Sequence, residues 1–218
     1  MIRIRYILFT FYFFTFMMTS CKSKMQTYTI ETNLGNIQIM LYDQTPLHKE
    51  NFEKIVAAKL YDGVSFHRII EGFMIQTGNP ETKPDFDAAA SGIDLNYTVA
   101  AEFIPEYFHK KGALAAARVG DAVNPEKRSS SSQFYIVQGN VITEPELLDL
   151  EEHKKMKFPQ YQRDAYKTLG GTPFLDREYT VFGEVIKGIE VIDAIASVPT
   201  GPRDVPLRDV RVIRIVKD

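Results

Sequence analysis

The sequence predicts a mainly β protein built as one closed antiparallel barrel. Three observations lead there. Short apolar runs with strand pattern recur from residue 27 to the C-terminus. Gly, Asn, Asp and Pro turn signals punctuate them. Helical spacing is confined to a few segments. With 218 residues, the chain exceeds one average domain and falls short of two, and 44% hydrophobic content suffices for a real core.

The elements follow in chain order. "MIRIRYILFTFYFFTFMMTSCKSK" opens with Arg3 and Arg5, runs apolar from Tyr6 to Met18, then turns small and polar before Cys21. Basic, apolar, cleavable is the layout of an export signal. The apolar run is shorter than the roughly 20 residues of a membrane span. "MTSC" resembles a bacterial lipobox, with Met18 where leucine is usual, and Cys21 would then carry the lipid. The expected organisation is a signal peptide over 1–20, a tether over 21–26 and one domain over 27–218. Membrane contact would run through the N-terminal lipid alone.

"TYTIETNLGNIQIMLY" alternates as a hairpin, with Tyr28, Ile30, Leu34, Ile37, Ile39 and Leu41 apolar and a turn signal at Gly35-Asn36. Thr45-Pro46 starts a helix whose Phe52, Ile55, Val56 and Leu60 lie at helical spacing. "VSFHRII" and "FMIQTG" read as strands around a Glu71-Gly72 turn, and 79–97 as loop. "KGALAAA" is a strand of small residues, which admits close approach to its backbone. "QFYIVQ" and "REYTVFGEVIKG" are strands, "IEVIDAIASV" a helix and "RDVRVIRIVK" a last strand. Residues 140–171 differ: they are charged, helical in pattern, acidic first and basic later, broken at Pro159 and closed by Gly170-Gly171.

Several chemistries are excluded. A net charge of -2 without charge blocks gives no footprint for nucleic acid. One cysteine permits no internal disulfide and no multi-thiolate metal site. Phosphate loops, G-x-S-x-G elbows and H-E-x-x-H helices are missing. Histidines 48, 67, 109 and 153 share no ligand spacing, so neither metal nor cofactor is expected. His48 and His153 read as solvated helix residues, His67 and His109 as satisfied structural groups, and Ser129 to Ser132 as a mobile loop. An enzyme built this way works without a nucleophile, base or metal.

One stretch resists a purely structural reading. "FHRIIEGFMIQTG" sets Arg68 and Gln76 amid Phe73, Met74 and Ile75. It closely resembles the signature of the cyclophilin family of peptidyl-prolyl cis-trans isomerases. Three further segments agree in order: "NFEKIVAAKLYDGVSFHR", "KGALAAAR" with "SSSSQFYIV", and "FLDREYTVFGEVIKGIEVIDAI". The resemblance covers Thr27 to Asp218 and implies a closed eight-stranded antiparallel barrel capped by two helices. Residues of about 140–171 form a helical insertion outside it.

The resemblance assigns candidate roles one position at a time. Arg68 falls on the catalytic arginine, with Phe73 and Gln76 beside it as signature residues. Met74, Ala117, Gln133, Tyr135, Phe174, Leu175 and Tyr179 fall on substrate-binding positions. Tyr135 stands where phenylalanine usually floors the proline pocket. Phe174 stands where some members have tryptophan, Tyr179 where many have histidine, and Arg118 where asparagine is common. The implied activity is rotation about X-Pro bonds in protein folding, with proline-containing polypeptides as partners. The chain is expected to be a monomer in a bacterial cell envelope, lipid-anchored at a periplasm-facing outer membrane. A proline-peptide holdase with little turnover is the alternative.

Phe174 lacks the indole N–H of a tryptophan. The family's inhibitor cyclosporin is therefore expected to bind weakly, and Phe174→Trp to tighten it. Equal dissociation constants for the two proteins would end that idea.

Overall fold

The computed structural model describes residues 26–87, 92 and 94–218. The signal and lipidation expectations, Cys21 included, lie outside these residues.

The hairpin forms as its alternation requires. β1 (Thr27–Thr32) pairs with β2 (Gly35–Leu41). Tyr28, Ile30, Ile37, Ile39 and Leu41 are all buried. The turn lies earlier than Gly35-Asn36, at Asn33-Leu34, so Leu34 is exposed rather than part of the buried face. Thr32 Oγ1 fixes it by donating to the Gly35 carbonyl and accepting from the Leu34 N–H.

α1 (Pro46–Ala57) buries Phe52 and Ile55. Thr45 makes no side-chain cap. Instead the Glu102 carboxylate accepts from the Leu47 and His48 N–H groups at 3.1 and 3.0 Å. A helix N-terminus must satisfy its free N–H groups, and an anion there also suits the dipole. His48 is consequently buried, not solvated: Nδ1 lies 2.6 Å from Glu102 and Nε2 2.9 Å from Ser129 Oγ.

The remaining strands are β3 (Arg68–Ile70), β4 (Met74–Thr77), β5 (Thr98–Val99), β6 (Ala113–Ala116), β7 (Ser129–Ser130), β8 (Phe134–Val137), β9 (Val181–Lys187) and β10 (Val212–Lys217). Eight of them make one curled antiparallel sheet in the order β10-β1-β2-β9-β6-β8-β4-β3. The expected closed barrel is not formed: the sheet is a half-barrel, open between its end strands β3 and β10. β3 and β10 are not paired strands. Residues ahead of β3 meet only the start of β10 and the residues before it: Phe66 N–H donates to the Val210 carbonyl at 2.7 Å, Val212 N–H to the Val64 carbonyl at 2.8 Å, and Gly63 N–H to the Val212 carbonyl at 2.8 Å. β3 is too short to carry a full ladder to that edge.

β5 and β7 form a separate ribbon. The serine run is accordingly packed, not a free loop. Ser129, Ser131 and Ser132 are buried, and Asn51 and Tyr61 donate to the carbonyls of Ser131 and Ser132. α4 (Ile189–Ala196) buries Val191, Ile192, Ile195 and Ala196, and joins α1 on the barrel core.

β6 and β8 are buried along their whole length, which explains their continuous apolar runs. Leu114, Ala116, Phe134 and Ile136 face the barrel core. Ala113, Ala115, Tyr135 and Val137 face a second cluster on the other side of the sheet, with Met74 and Val181.

The insertion is two helices, α2 (Glu144–Lys154) and α3 (Gln160–Thr168), packed on Leu147, Phe158 and Tyr166. A capping box opens α2: the Thr143 N–H donates to Glu146 Oε2 at 2.7 Å. Gly171 bridges to Lys110 and Asn140, seating the insertion on the barrel. A Cβ there would stand 2.3 Å from the His109 carbonyl, so the close approach requires glycine.

Glu151 ties the two helices together. It pairs with Lys157 and Arg163 and accepts from the Phe158 N–H. Lys157 first, then that N–H, hold its carboxyl at about 2, against the opposing effect of burial. The folded value lies below an unfolded value of about 4.3. Its contribution to stability is therefore complete above that value and lost as pH falls toward about 2. Unfolding temperature measured from neutral pH into acid should fall more steeply for the wild type than for Glu151→Gln. Parallel curves would refute this.

Candidate active site

The pairing of short strands assembles the site. In β3–β4 Arg68 sits opposite Gln76, Ile69 opposite Ile75 and Ile70 opposite Met74. Alternation sends Ile69 and Ile75 into the core and leaves Arg68, Gln76 and Met74 on the outer face. Gln76 then lies opposite Tyr135 of β8, and Tyr135 opposite Ala115 of β6. One row of side chains thus crosses four strands: a guanidinium, an amide, a phenol and a methyl.

A cavity of about 90 Å³ opens beside this row. Arg68, Phe73, Met74, Gln76, Ala117, Arg118, Tyr135, Leu175 and Tyr179 line it. Eight of the ten non-lipid residues singled out from the sequence thus come together. The other two lie just outside. Phe174 is 47% exposed on the lip, with its ring 5.6 Å from that of Phe73. Gln133 accepts from Gln76 Nε2 at 3.1 Å and lines a neighbouring groove with Asn79, Phe86 and Asp94.

Arg68 is half-exposed, and its Nε donates to Asp204 Oδ2 at 3.2 Å. The Gln76 amide turns to Gln133, and the acidic partner of Arg68 is Asp204. No local signal announces Asp204, which is 136 residues away in the chain. Arg118 was also missed as a wall. Its side chain is buried, its guanidinium carbon lies 4.4 Å from the Tyr179 ring centre, and its Nε donates to the Glu178 carbonyl. An arginine stacked on an aromatic face is held and partly desolvated at once.

Tyr135 is fully enclosed. Its hydroxyl meets His109 Nε2 at 3.0 Å, and its ring packs edge-on to Tyr179 at 5.8 Å. Burial, reinforced by Tyr179 and Asp176, pushes its phenol far above the ordinary value, so it stays neutral. His109 is a satisfied structural group, as expected. His67 is not fully so: its buried Nδ1 has no hydrogen-bond partner among the described residues, and burial lowers its pKa. The cavity wall contains no carboxylate, histidine or thiol. What it offers is cationic donors, an amide and a set of ring and aliphatic surfaces. Such a site binds, orients and polarises without moving a proton.

Comparison with known proteins gives a consistent result. A family model described as cyclophilin type peptidyl-prolyl cis-trans isomerase/CLD matches residues 27–217. A Staphylococcus saprophyticus protein provisionally named peptidyl-prolyl cis-trans isomerase is 36% identical over 186 residues, 84% of this chain and 87% of that one. One of the same provisional name from Staphylococcus aureus strain USA300 is 37% identical over 184 residues, covering 83% and 86%. A crystal structure of a Cryptosporidium parvum cyclophilin type peptidyl-prolyl cis-trans isomerase superposes with a TM-score of 0.64 at 24% identity, covering 89% of this chain and 98% of that one. The same protein in the presence of the dipeptide Ala-Pro gives 0.63 at 23% identity, covering 88% and 99%.

Proposed function

The chain belongs to the cyclophilin-type peptidyl-prolyl cis-trans isomerases, and we propose that Arg68 and the cavity beside it catalyse rotation about X-Pro bonds of polypeptides in a bacterial cell envelope. The observation that carries this is the row from Arg68 through Gln76 to Tyr135, standing beside a small cavity with an apolar wall.

An X-Pro bond is an amide whose resonance resists rotation by roughly 18–20 kcal/mol. In the twisted state the prolyl nitrogen becomes pyramidal and regains its lone pair. A cation aimed at that nitrogen stabilises the twisted state above either planar isomer, and only such a difference accelerates the reaction. Arg68 is always charged and is an N–H donor. Asp204 engages its Nε edge and limits where the head can swing.

Magnitudes show that Arg68 does not act alone. Uncatalysed rotation runs at roughly 0.01 per second. Reaching ~10³ per second requires about 7 kcal/mol. A charge-assisted hydrogen bond contributes about 1.5–3 kcal/mol. The remainder falls to holding the ring while the preceding residue turns. Phe73, Met74, Leu175, Tyr135 and Tyr179 provide the grip, and Ala117 leaves room for a substrate backbone. Gln133, linked to Gln76, stands where a substrate amide would pass. The Ala-Pro dipeptide of the Cryptosporidium structure has the chemistry that would fit here.

The envelope setting rests on the leader sequence and Cys21. No helix among the described residues is long and apolar enough to cross a membrane. Lipid on Cys21 would place the isomerase at a bilayer surface, with folding chains as its substrates.

Two experiments test these readings. Arg68→Ala should lower kcat/KM on an X-Pro peptide roughly 10- to 100-fold, with unchanged unfolding temperature. Full activity in that variant would discard the mechanism. Cys21→Ser, expressed in a bacterium and labelled with radioactive palmitate, should lose the label and leave the membrane fraction. Retention of both would rule out lipidation at this cysteine.

A further inference from the structure

A chain of buried hydrogen bonds runs from the insertion to the floor of the cavity. Tyr166 lies on α3, and its hydroxyl donates to Asp176 Oδ2 at 2.6 Å. Asp176 Oδ1 accepts twice from His109, from the backbone N–H at 2.9 Å and from ring Nδ1 at 2.8 Å. His109 Nε2 meets the Tyr135 hydroxyl at 3.0 Å, and the Tyr135 ring is part of the cavity wall. In a neutral imidazole the proton sits on Nδ1, which faces the carboxylate. Nε2 is then the acceptor, and Tyr135 is the donor.

Tyr166 and His109 are 0% exposed, Asp176 and Tyr135 4%. Water therefore has little access to replace a missing link, and each group depends on the next. A second tie runs in parallel. Lys154 of α2 donates to the carbonyls of Phe174 and Asp176, both at 2.8 Å. The two insertion helices thus hold, from behind, the turn that carries Leu175 into the cavity.

We infer that Tyr166 is a positioning residue of the isomerase site: through Asp176 and His109 it fixes the Tyr135 ring, and so sets the grip on the prolyl ring. The inference rests on the isomerase reading of the cavity. It gives the insertion a task at the site although none of its residues lines the cavity. It also gives the Tyr135 hydroxyl a use: a phenylalanine floor would be held by packing alone, whereas this floor is tied to a buried carboxylate. The floor touches the prolyl ring in planar and twisted states alike. Phe73, Met74, Leu175 and Tyr179 still hold the ring while the preceding residue turns, so loosening the floor alone weakens both states equally, which raises KM and spares kcat.

The test is a double-mutant cycle on the full chain with Tyr166→Phe, Tyr135→Phe and both together, measuring kcat and KM separately on one X-Pro peptide. Tyr166→Phe should raise KM roughly threefold to tenfold, a hydrogen bond's worth, with kcat kept. In the Tyr135→Phe background the same substitution should add nothing. An unchanged KM, an equal rise in both backgrounds, or a fall in kcat alone (as loss of folded protein would give) would overturn the inference. Tyr135→Phe by itself should raise KM by a similar factor, and an unchanged value overturns the inference even where Tyr166→Phe does not fold. A wild type without isomerase activity would overturn the reading of the cavity as well; an active wild type matched by Tyr166→Phe overturns this inference alone.

Discussion

The antiparallel pairing of Arg68 with Gln76 decides where every group of the site stands. Side chains alternate across a strand, so a slip of one residue would turn Arg68 and Gln76 into the core and push Ile69 and Ile75 out. Neither outcome is tolerable: an unpaired guanidinium cannot be buried, and two isoleucines gain nothing in water. The hydrophobic effect that builds the sheet thereby aims Arg68 at the cavity. Fold and site are one constraint seen from the two faces of a sheet.

The second requirement is a sheet buried on both sides. β6 and β8 supply apolar residues to the core and to the site cluster at once. Small residues on β6 allow close approach, while Tyr135 on β8 gives the floor its bulk. A ring standing over a packed sheet presents a rigid wall, and rigidity matters in a reaction catalysed by holding one part of the substrate while another turns.

Long-range polar partners complete what the strands begin. Glu102 caps α1 and meets His48, Asp204 engages Arg68, and Asp176 gathers His109 and Tyr166. Each carboxylate answers a donor far away in the chain. Two of the three histidines packed in the fold, His48 and His109, are fully paired in this way, so they serve structure rather than proton transfer. The insertion fits the same scheme, with Glu151 joining its helices and Tyr166 reaching the carboxylate beneath the pocket.

Local pattern sufficed for the mainly β class, the hairpin, both barrel helices and the charged helical insertion, because strand alternation, helical spacing and turn chemistry act over a few neighbouring residues. The signature around Arg68, read with three other segments, also located eight of the cavity's nine wall residues. Tertiary structure alone decided the rest. His48 and the serine run became buried because residues more than 50 positions distant satisfied them. Asp204 came to Arg68, Arg118 to the Tyr179 ring and His109 to the Tyr135 hydroxyl only once the sheet curled. Hydrogen bonds and ion pairs between groups far apart in the chain leave no periodic trace in it; their partners are set by where folding brings the backbone, and that becomes visible only in three dimensions.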